Sequence, residues 1–269
     1  MEVGIKLGII GACGRMGKAI ARLALESSYF ELQALIDANE DFIGKSYQSV
    51  TGLTDGSIII EKSVEDVSVK LDVLIDFSFY KATLISLAQA EKKGIAYVIG
   101  TTGFDDEAIL KIKDYGTKIP VLLSPNMSLG VNVMLKSLKL LTELLFDKYD
   151  IEVIEAHHNQ KVDSPSGTAL KLYEVIKEVI ESKGEAIELI HGRQGIVGKR
   201  TSREVGMHAV RAGSIVGEHS VLFAGLDEDI TLTHRAQSRD TFAKGALQCA
   251  EFLSDKPVGF YNMDSVLGL

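Results

Sequence analysis

His157 and His158 stand side by side, Lys161 follows three residues later, and Ser166, Gly167 and Thr168 close the run EAHHNQKVDSPSGTAL (155–170). Three chemistries use such residues. A zinc site needs three or four N, S or O ligands that converge on one point. Adjacent histidines on an extended strand point to opposite sides, and no HxxxH or CxxC pattern accompanies them, so no metal is expected. A serine nucleophile would want a G-x-S-x-G elbow, and Ser164 and Ser166 lie in none. An anion site uses more of the run. Pro165 and Ser166 sit at a helix entrance, where Gly167 and Thr168 offer bare N–H groups and a hydroxyl, and helix N-termini bind carboxylates well. Lys161 adds positive charge, and a histidine can supply a proton near neutral pH. The expectation is a carboxylate-bearing substrate, protonated by a histidine or the lysine beside a hydride acceptor. An ordinary N-cap with solvated histidines is the competing explanation.

A hydride source is written upstream. GIIGACGRMGKAI places Gly11, Gly14 and Gly17 between a strand and a helix. Such a loop lets backbone N–H groups approach a pyrophosphate at a helix N-terminus. The spacing G-x-x-G-x-x-G is not the commoner one, so the context matters. Asp37 ends the second predicted strand about twenty residues past the last glycine, where an acid accepts hydrogen bonds from the adenine ribose. Three further strands end in polar sequence: Asp76-Phe77-Ser78, Gly100-Thr101-Thr102-Gly103 and Ser124-Pro125-Asn126. In an open parallel sheet these ends share one edge, where ligands bind. Asp37 repels a 2′-phosphate and is followed by Ala38 rather than an arginine, which favours NADH. Arg15 in the loop partly compensates, so NADPH remains usable.

The elements that must carry these residues fall into two groups. Strands are expected at 5–10, 30–37, 57–63, 71–77, 96–102 and 120–126, with amphipathic stretches between several of them. That alternation implies a parallel sheet with βαβ crossovers. A helix at about 130–147, a strand at 150–156 and a helix at about 167–182 follow. Then AIELIHG, EVGMHAVRAG, SIVGEHSVLFAG and EDITLTHRA run nearly back to back as an open antiparallel or mixed sheet with few helices. A sheet covered on one face often buries the other in a partner subunit, so an oligomer is expected. The tail from Arg239 reads as helix and can return to the first domain. The fold class is α/β, with an N-terminal Rossmann-like parallel-sheet domain and a second α+β domain for substrate and oligomerisation. The boundaries are 1–127 plus 240–269, and 128–239. GRQGIVGKR (192–200) holds Arg193, Lys199 and Arg200, which either meet a carboxylate or cofactor from a mobile loop or form a solvated basic turn. His191, His208, His219 and His234 lie in strand-like patterns, with sheet packing as their default role.

Bulk properties bound the partners. A net charge of −8 argues against nucleic acid or anionic lipid. No apolar run reaches the roughly 18–20 residues of a membrane span. The N-terminal MEVGIKLGIIG enters a strand without a signal-peptide pattern, and the two cysteines, Cys13 and Cys249, suggest no disulfide framework. A cytoplasmic setting is expected.

The sequence resembles the 4-hydroxy-tetrahydrodipicolinate reductases, also called dihydrodipicolinate reductases, over essentially its whole length. GACGRMG (11–17), IDFS (75–78), GTTGF (100–104), NMSLGVNVM (126–134), EAHHNQKVDSPSGTAL, VRAGSIVGEHSVLFAG (210–225) and THRAQSRDTFAKGAL (233–247) carry the likeness. The resemblance implies NAD(P)H-dependent reduction of a cyclic imine dicarboxylate in the diaminopimelate–lysine pathway. It implies His157 as proton donor, Lys161 as its partner in catalysis, and His158, Gly167 and Thr168 at the substrate carboxylate, beside Ser166. Gly11, Ala12, Cys13, Gly14, Arg15 and Met16, then Asp37, Gly100, Thr101 and Thr102, then Ser124, Pro125, Asn126 and Met127, match the cofactor contacts. A homotetramer joined through the second domain's sheet is implied as well. Some members carry an arginine in place of Ala38 and an arginine-proline pair after Phe77-Ser78, where this chain has neither.

Overall fold

Strand formation in the first part of the chain follows short β-branched runs between helical segments. A computed structural model describes residues 4–53 and 58–268. In chain order the first elements are β1 (Ile5–Ile10), α1 (Arg15–Glu26), β2 (Phe30–Ile36), α2 (Tyr47–Thr51), β3 (Ile60–Glu61) and β4 (Val73–Asp76). Next come α3 (Tyr80–Lys93), β5 (Ala96–Ile99), α4 (Asp106–Tyr115), β6 (Pro120–Leu123), α5 (Leu129–Leu145) and β7 (Asp150–His157). The remainder is α6 (Gly167–Ser182), β8 (Glu188–His191), β9 (Glu204–Arg211), β10 (Gly217–Ala224), β11 (Asp229–Ala236), α7 (Asp240–Leu253), β12 (Gly259–Tyr261) and α8 (Met263–Leu267). Two compact units result: Met1–Leu129 with Arg239–Leu269, and Gly130–Ser238.

The first unit is built on a seven-stranded sheet in the order β12-β6-β5-β4-β1-β2-β3, and each of its neighbouring pairs is parallel. Its central strands are buried on both faces, which explains their continuous apolar character. Leu7, Ile9, Val73 and Ile75 pack on one side with α1 and α7, while Ile10, Leu74, Tyr97 and Ile99 pack on the other with α3 and α4. The expected strand at 57–63 shortens to Ile60–Glu61, and its first residue, Ser57, lies outside the described residues. Ile59 bridges antiparallel to Ser46 instead, because this edge strand has only β2 beside it. The short elements α2, β12 and α8 were not legible as separate pieces. Gly94 ends α3 in the left-handed conformation (φ 66°), as its place after Lys92 and Lys93 predicts.

The second unit is a five-stranded mixed sheet in the order β11-β10-β7-β9-β8. The pairs β10–β11 and β10–β7 are antiparallel, whereas β7–β9 and β8–β9 are parallel. Alternating residues of β7 and β10 are buried. Ile151, Val153, Val221 and Phe223 form a core with Leu138 of α5 and Leu172 and Ile176 of α6. The period-2 side-chain alternation leaves the opposite face open, with Ile154 and Val210 exposed on it.

Candidate active site

In the first unit, strand register brings the sequence-predicted loop ends to one edge. Ile10 pairs with both Ile36 and Asp76, Asp76 with Ile99, and Ile99 with Leu123. The residues that follow each strand therefore lie side by side at the carboxyl edge. β1 has β2 on one flank and β4 on the other, so the glycine loop leaves the sheet where the strand order reverses, which is where ligands settle.

Gly11 turns at φ 74°, and a Cβ there would lie 2.5 Å from the Phe77 carbonyl oxygen. Gly14 caps α1 without a side-chain acceptor, and the first turn of α1 has no acidic residue. That leaves the positive end of the helix uncompensated, as an anion site requires. The loop is braced from below: buried Tyr47 donates its hydroxyl to the Ala12 carbonyl at 2.8 Å. Asp37 braces it from the side, accepting from the Cys13 amide at 2.9 Å and the Asn39 amide at 3.1 Å. A carboxylate has about four lone-pair sites, so Asp37 can hold the loop and still accept from a diol. Burial, then the neighbouring Asp37 charge, pushes the Cys13 thiol up to about 11, which keeps it a neutral neighbour. These features fit a dinucleotide.

The other predicted cofactor residues divide. Thr102 and Pro125 are exposed at the edge, and Arg15 is exposed on the first turn of α1. Thr101 is buried and donates to Asp76 Oδ1 at 3.2 Å, so its hydroxyl shapes the edge from within. Asp76 is fully buried and also accepts from the Tyr97 hydroxyl at 2.7 Å and the Ser78 amide at 2.8 Å. Ser124 donates to the Asn126 carbonyl at 2.8 Å. Met127 is a core side chain, packed 3.7 Å from Cys249 Sγ.

In the second unit, β7 presents Glu155 and His157 on its covered face, two residues apart. Glu155 is fully buried, and three groups converge on it through four contacts. His157 Nδ1 lies 2.6 Å from Oε2, the Ser166 amide donates to Oε1 at 3.1 Å, and Arg211 clamps both oxygens at 2.8 and 2.7 Å. Burial pushes Glu155 up, but the bonds from Arg211, His157 and Ser166 outweigh it and hold the carboxyl below its ordinary range. It is therefore an acceptor at neutral pH, and His157 Nδ1 carries the hydrogen. His219 lies against His157 with the rings edge to face, centroids 5.1 Å apart, and its Nε2 is 3.0 Å from Ser166 Oγ. Burial, then the nearby His157, brings His219 down to about 4.

Ser166 caps α6 by accepting from the Ala169 amide at 3.2 Å. Its amide and hydroxyl are thus already engaged by Glu155, Ala169 and His219. Gly167 borders open space where a side chain would stand. His158, just past the end of β7, is half-buried. Lys161 Nζ sits 2.8 Å from both oxygens of Asp163. Such a partly exposed pair is worth roughly 0–1 kcal/mol, so Lys161 can exchange Asp163 for another carboxylate at small cost.

The basic loop 192–200 is exposed from Arg193 to Lys199, as a solvated turn would be, and two of its arginines also pair with carboxylates of the sheet. Arg193 forks onto Glu152 at 3.0 Å and reaches Glu204, and Arg200 joins Asp150 and Glu152. His219 packs on the covered face of β10, as expected, and there it also meets His157 and Ser166. Glu155 and Arg211 were not assigned a role from sequence. Only the parallel register, which sets Arg211 beside His157, reveals the clamp.

Family models described as the N-terminus and the C-terminus of dihydrodipicolinate reductase match residues 5–127 and 130–267. The chain belongs to this reductase family. Relatives named 4-hydroxy-tetrahydrodipicolinate reductase include one from Syntrophotalea carbinolica, 40% identical over 266 residues that span 98% of this chain and 99% of the relative. Another, from Desulfotalea psychrophila, is 42% identical over 265 residues, 98% of each chain. Among solved structures, a dipicolinate-bound dihydrodipicolinate reductase from Paenisporosarcina sp. TG-14 superposes with a TM-score of 0.79 at 25% identity, covering 97% of this chain and 98% of that one. An amine dehydrogenase from Mycobacterium smegmatis shares the fold, with a TM-score of 0.63 at 10% identity, covering 96% of this chain and 95% of that one. Membership makes the chain an NAD(P)H-dependent oxidoreductase. No helix among the described residues is long and apolar enough to cross a membrane.

Proposed function

We propose that the chain reduces 4-hydroxy-tetrahydrodipicolinate, a cyclic imine dicarboxylate, in the diaminopimelate route to lysine, with hydride and proton added and the 4-hydroxyl leaving as water to give tetrahydrodipicolinate, and with His157 as the proton donor. The reaction is that of its relatives. The observation that carries the residue assignment is the Glu155–His157 contact at 2.6 Å, which occupies Nδ1 and leaves Nε2 as the working nitrogen. Bound NAD(P)H supplies the hydride. Gly11, Gly14 and the first turn of α1 take the pyrophosphate, and Asp37 takes the adenine ribose. Gly100, Thr102 and the turn at Ser124–Asn126 border the rest of the cofactor with backbone groups.

On the substrate side, Gly167 and Thr168 at the start of α6 receive one carboxylate, with His158 beside them. Ser166 supports that end through its cap rather than by contact. Lys161 leaves Asp163 to balance the second negative charge. The His157 imidazolium, with hydrogen on both nitrogens, would then give up its Nε2 proton as hydride reaches carbon, and the ring is left with the Nδ1 hydrogen shared with Glu155. Positioned proton transfer of this kind contributes about 10²–10⁴-fold.

NADH is the preferred donor in this reading, because Asp37 is an acid and Ala38 offers no cation to a 2′-phosphate. The open face of the second unit's sheet, with Ile154 and Val210 exposed, supports assembly as a homotetramer. The free cysteines Cys13 and Cys249 suit a reducing cytoplasm. The test couples the protein to dihydrodipicolinate synthase and follows absorbance of NADH and NADPH separately. Oxidation of both, with the larger kcat/KM for NADH, is expected, and a tenfold loss or more of kcat in His157→Ala. A His157→Ala enzyme with wild-type kcat would remove His157 from the mechanism.

A further inference from the structure

His157 works only if one nitrogen is committed and its edge is clear, and both conditions trace to residues outside the assigned site. Neutral imidazole carries its hydrogen on either nitrogen, and the tautomer follows the bond made by the other. Here Nδ1 faces a buried carboxylate at 2.6 Å. That carboxylate cannot turn away, because Arg211 holds both oxygens and the Ser166 amide holds one. Arg211 is itself fixed by the carbonyls of Val210 and Asp163, each at 2.7 Å. The opposite edge of the ring is bordered by Gly217, where a Cβ would stand 3.2 Å from Nε2. The absence of a side chain there keeps the working nitrogen uncrowded.

We propose that Glu155 is a positioning residue for His157: it takes the Nδ1 hydrogen, dedicates Nε2 to proton transfer, and is itself held by Arg211 and the Ser166 amide. The inference rests on His157 being the proton donor. The charged or titratable groups around the ring are Glu155 on β7, Arg211 on β9, His219 on β10, and Lys161 and Asp163 on the loop before α6. Glu155 is the anion in direct contact with the imidazole. Its contact with Nδ1 selects the Nδ1–H tautomer.

The test is a histidine-ring ¹H–¹⁵N spectrum of the full chain without substrate, with the His157 signals assigned by their loss in His157→Asn. Hydrogen on Nδ1 and a bare Nε2 are expected in the neutral wild-type ring. In Glu155→Gln, whose amide can either accept from Nδ1 or donate to it, the neutral ring should show a mixed tautomer, and kcat should fall while KM changes less. If Glu155→Gln does not fold with Arg211 unpaired, the double variant Glu155→Gln/Arg211→Gln takes its place, with the same mixed tautomer expected. An Nε2–H wild-type ring, or a pure Nδ1–H tautomer in the variant, would overturn the inference. A wild-type kcat in His157→Ala would sink the proton-donor reading separately, because the ring spectrum needs no turnover.

Discussion

Acidification should destabilise the protein through one buried ring, His219, before the carboxylates titrate. In the folded chain burial holds its imidazole near 4, against 6.5 for an ordinary histidine. The ring is 4% exposed, so water screens little of this. The unfolded chain binds a proton between these values and the folded chain does not. Stability is therefore fully present above about 6.5 and is lost as pH falls toward 4. The 2.5-unit gap corresponds to on the order of 3 kcal/mol in total, of which about 2 kcal/mol should be gone by pH 5. The assay is urea unfolding at pH 7, 6 and 5 for wild type and His219→Gln. Glutamine can still meet the Ser166 hydroxyl, which Nε2 of His219 reaches at 3.0 Å, but it does not titrate. The variant should start less stable at pH 7 and lose less on acidification, so the curves converge. Parallel curves would refute the reasoning, because they would mean that His219 titrates alike folded and unfolded.

Other perturbations test other parts. Burial pushes Glu152 up, yet bonds from Arg193, His208 and Arg200 outweigh it and bring the carboxyl from 4.5 to about 2. Its contribution is present above about 4.5 and fades as pH falls toward 2, so thermal melts of wild type should decline more steeply over that range than those of Glu152→Gln; equal slopes would count against the network. A Cβ on Gly17 would lie 2.2 Å from the Gly11 carbonyl oxygen and 2.6 Å from Ala12 Cα, all backbone that cannot swing aside. Gly17→Ala should push α1 off its loop and weaken NADH binding by roughly tenfold or more, about 1.4 kcal/mol, read by fluorescence titration; an unchanged Kd would show that the loop yields.

Local arrangements written contiguously were legible. The glycine loop, Asp37 and the His157–Thr168 run each lie within one turn or one strand end, where local geometry follows from local sequence. Ser166 was placed at the start of its helix because a serine cap needs only the next three residues, and the Ala169 amide does meet its hydroxyl. The parallel and mixed sheets were legible for a related reason: the spacing of apolar runs reports crossovers and hairpins without knowledge of their partners.

What tertiary structure alone decided is which distant residues share a register. Arg211 reaches Glu155 across 56 positions, and His219 reaches Ser166 across 53. The pairings His157 with Arg211 and Glu155 with His219 bring them there. A slip of one residue would turn each side chain to the opposite face. Period-2 patterning says that these residues face inward or outward, but not what they face. The same limit explains Arg193 and Arg200, whose carboxylate partners Asp150 and Glu152 lie more than forty positions away. By itself the sequence determined the glycine loop between β1 and α1 and the serine-capped start of α6, because each is a local arrangement of backbone and neighbours. Folding determined what His157 faces, because Nδ1 meets a buried carboxylate that is held by an arginine from another strand.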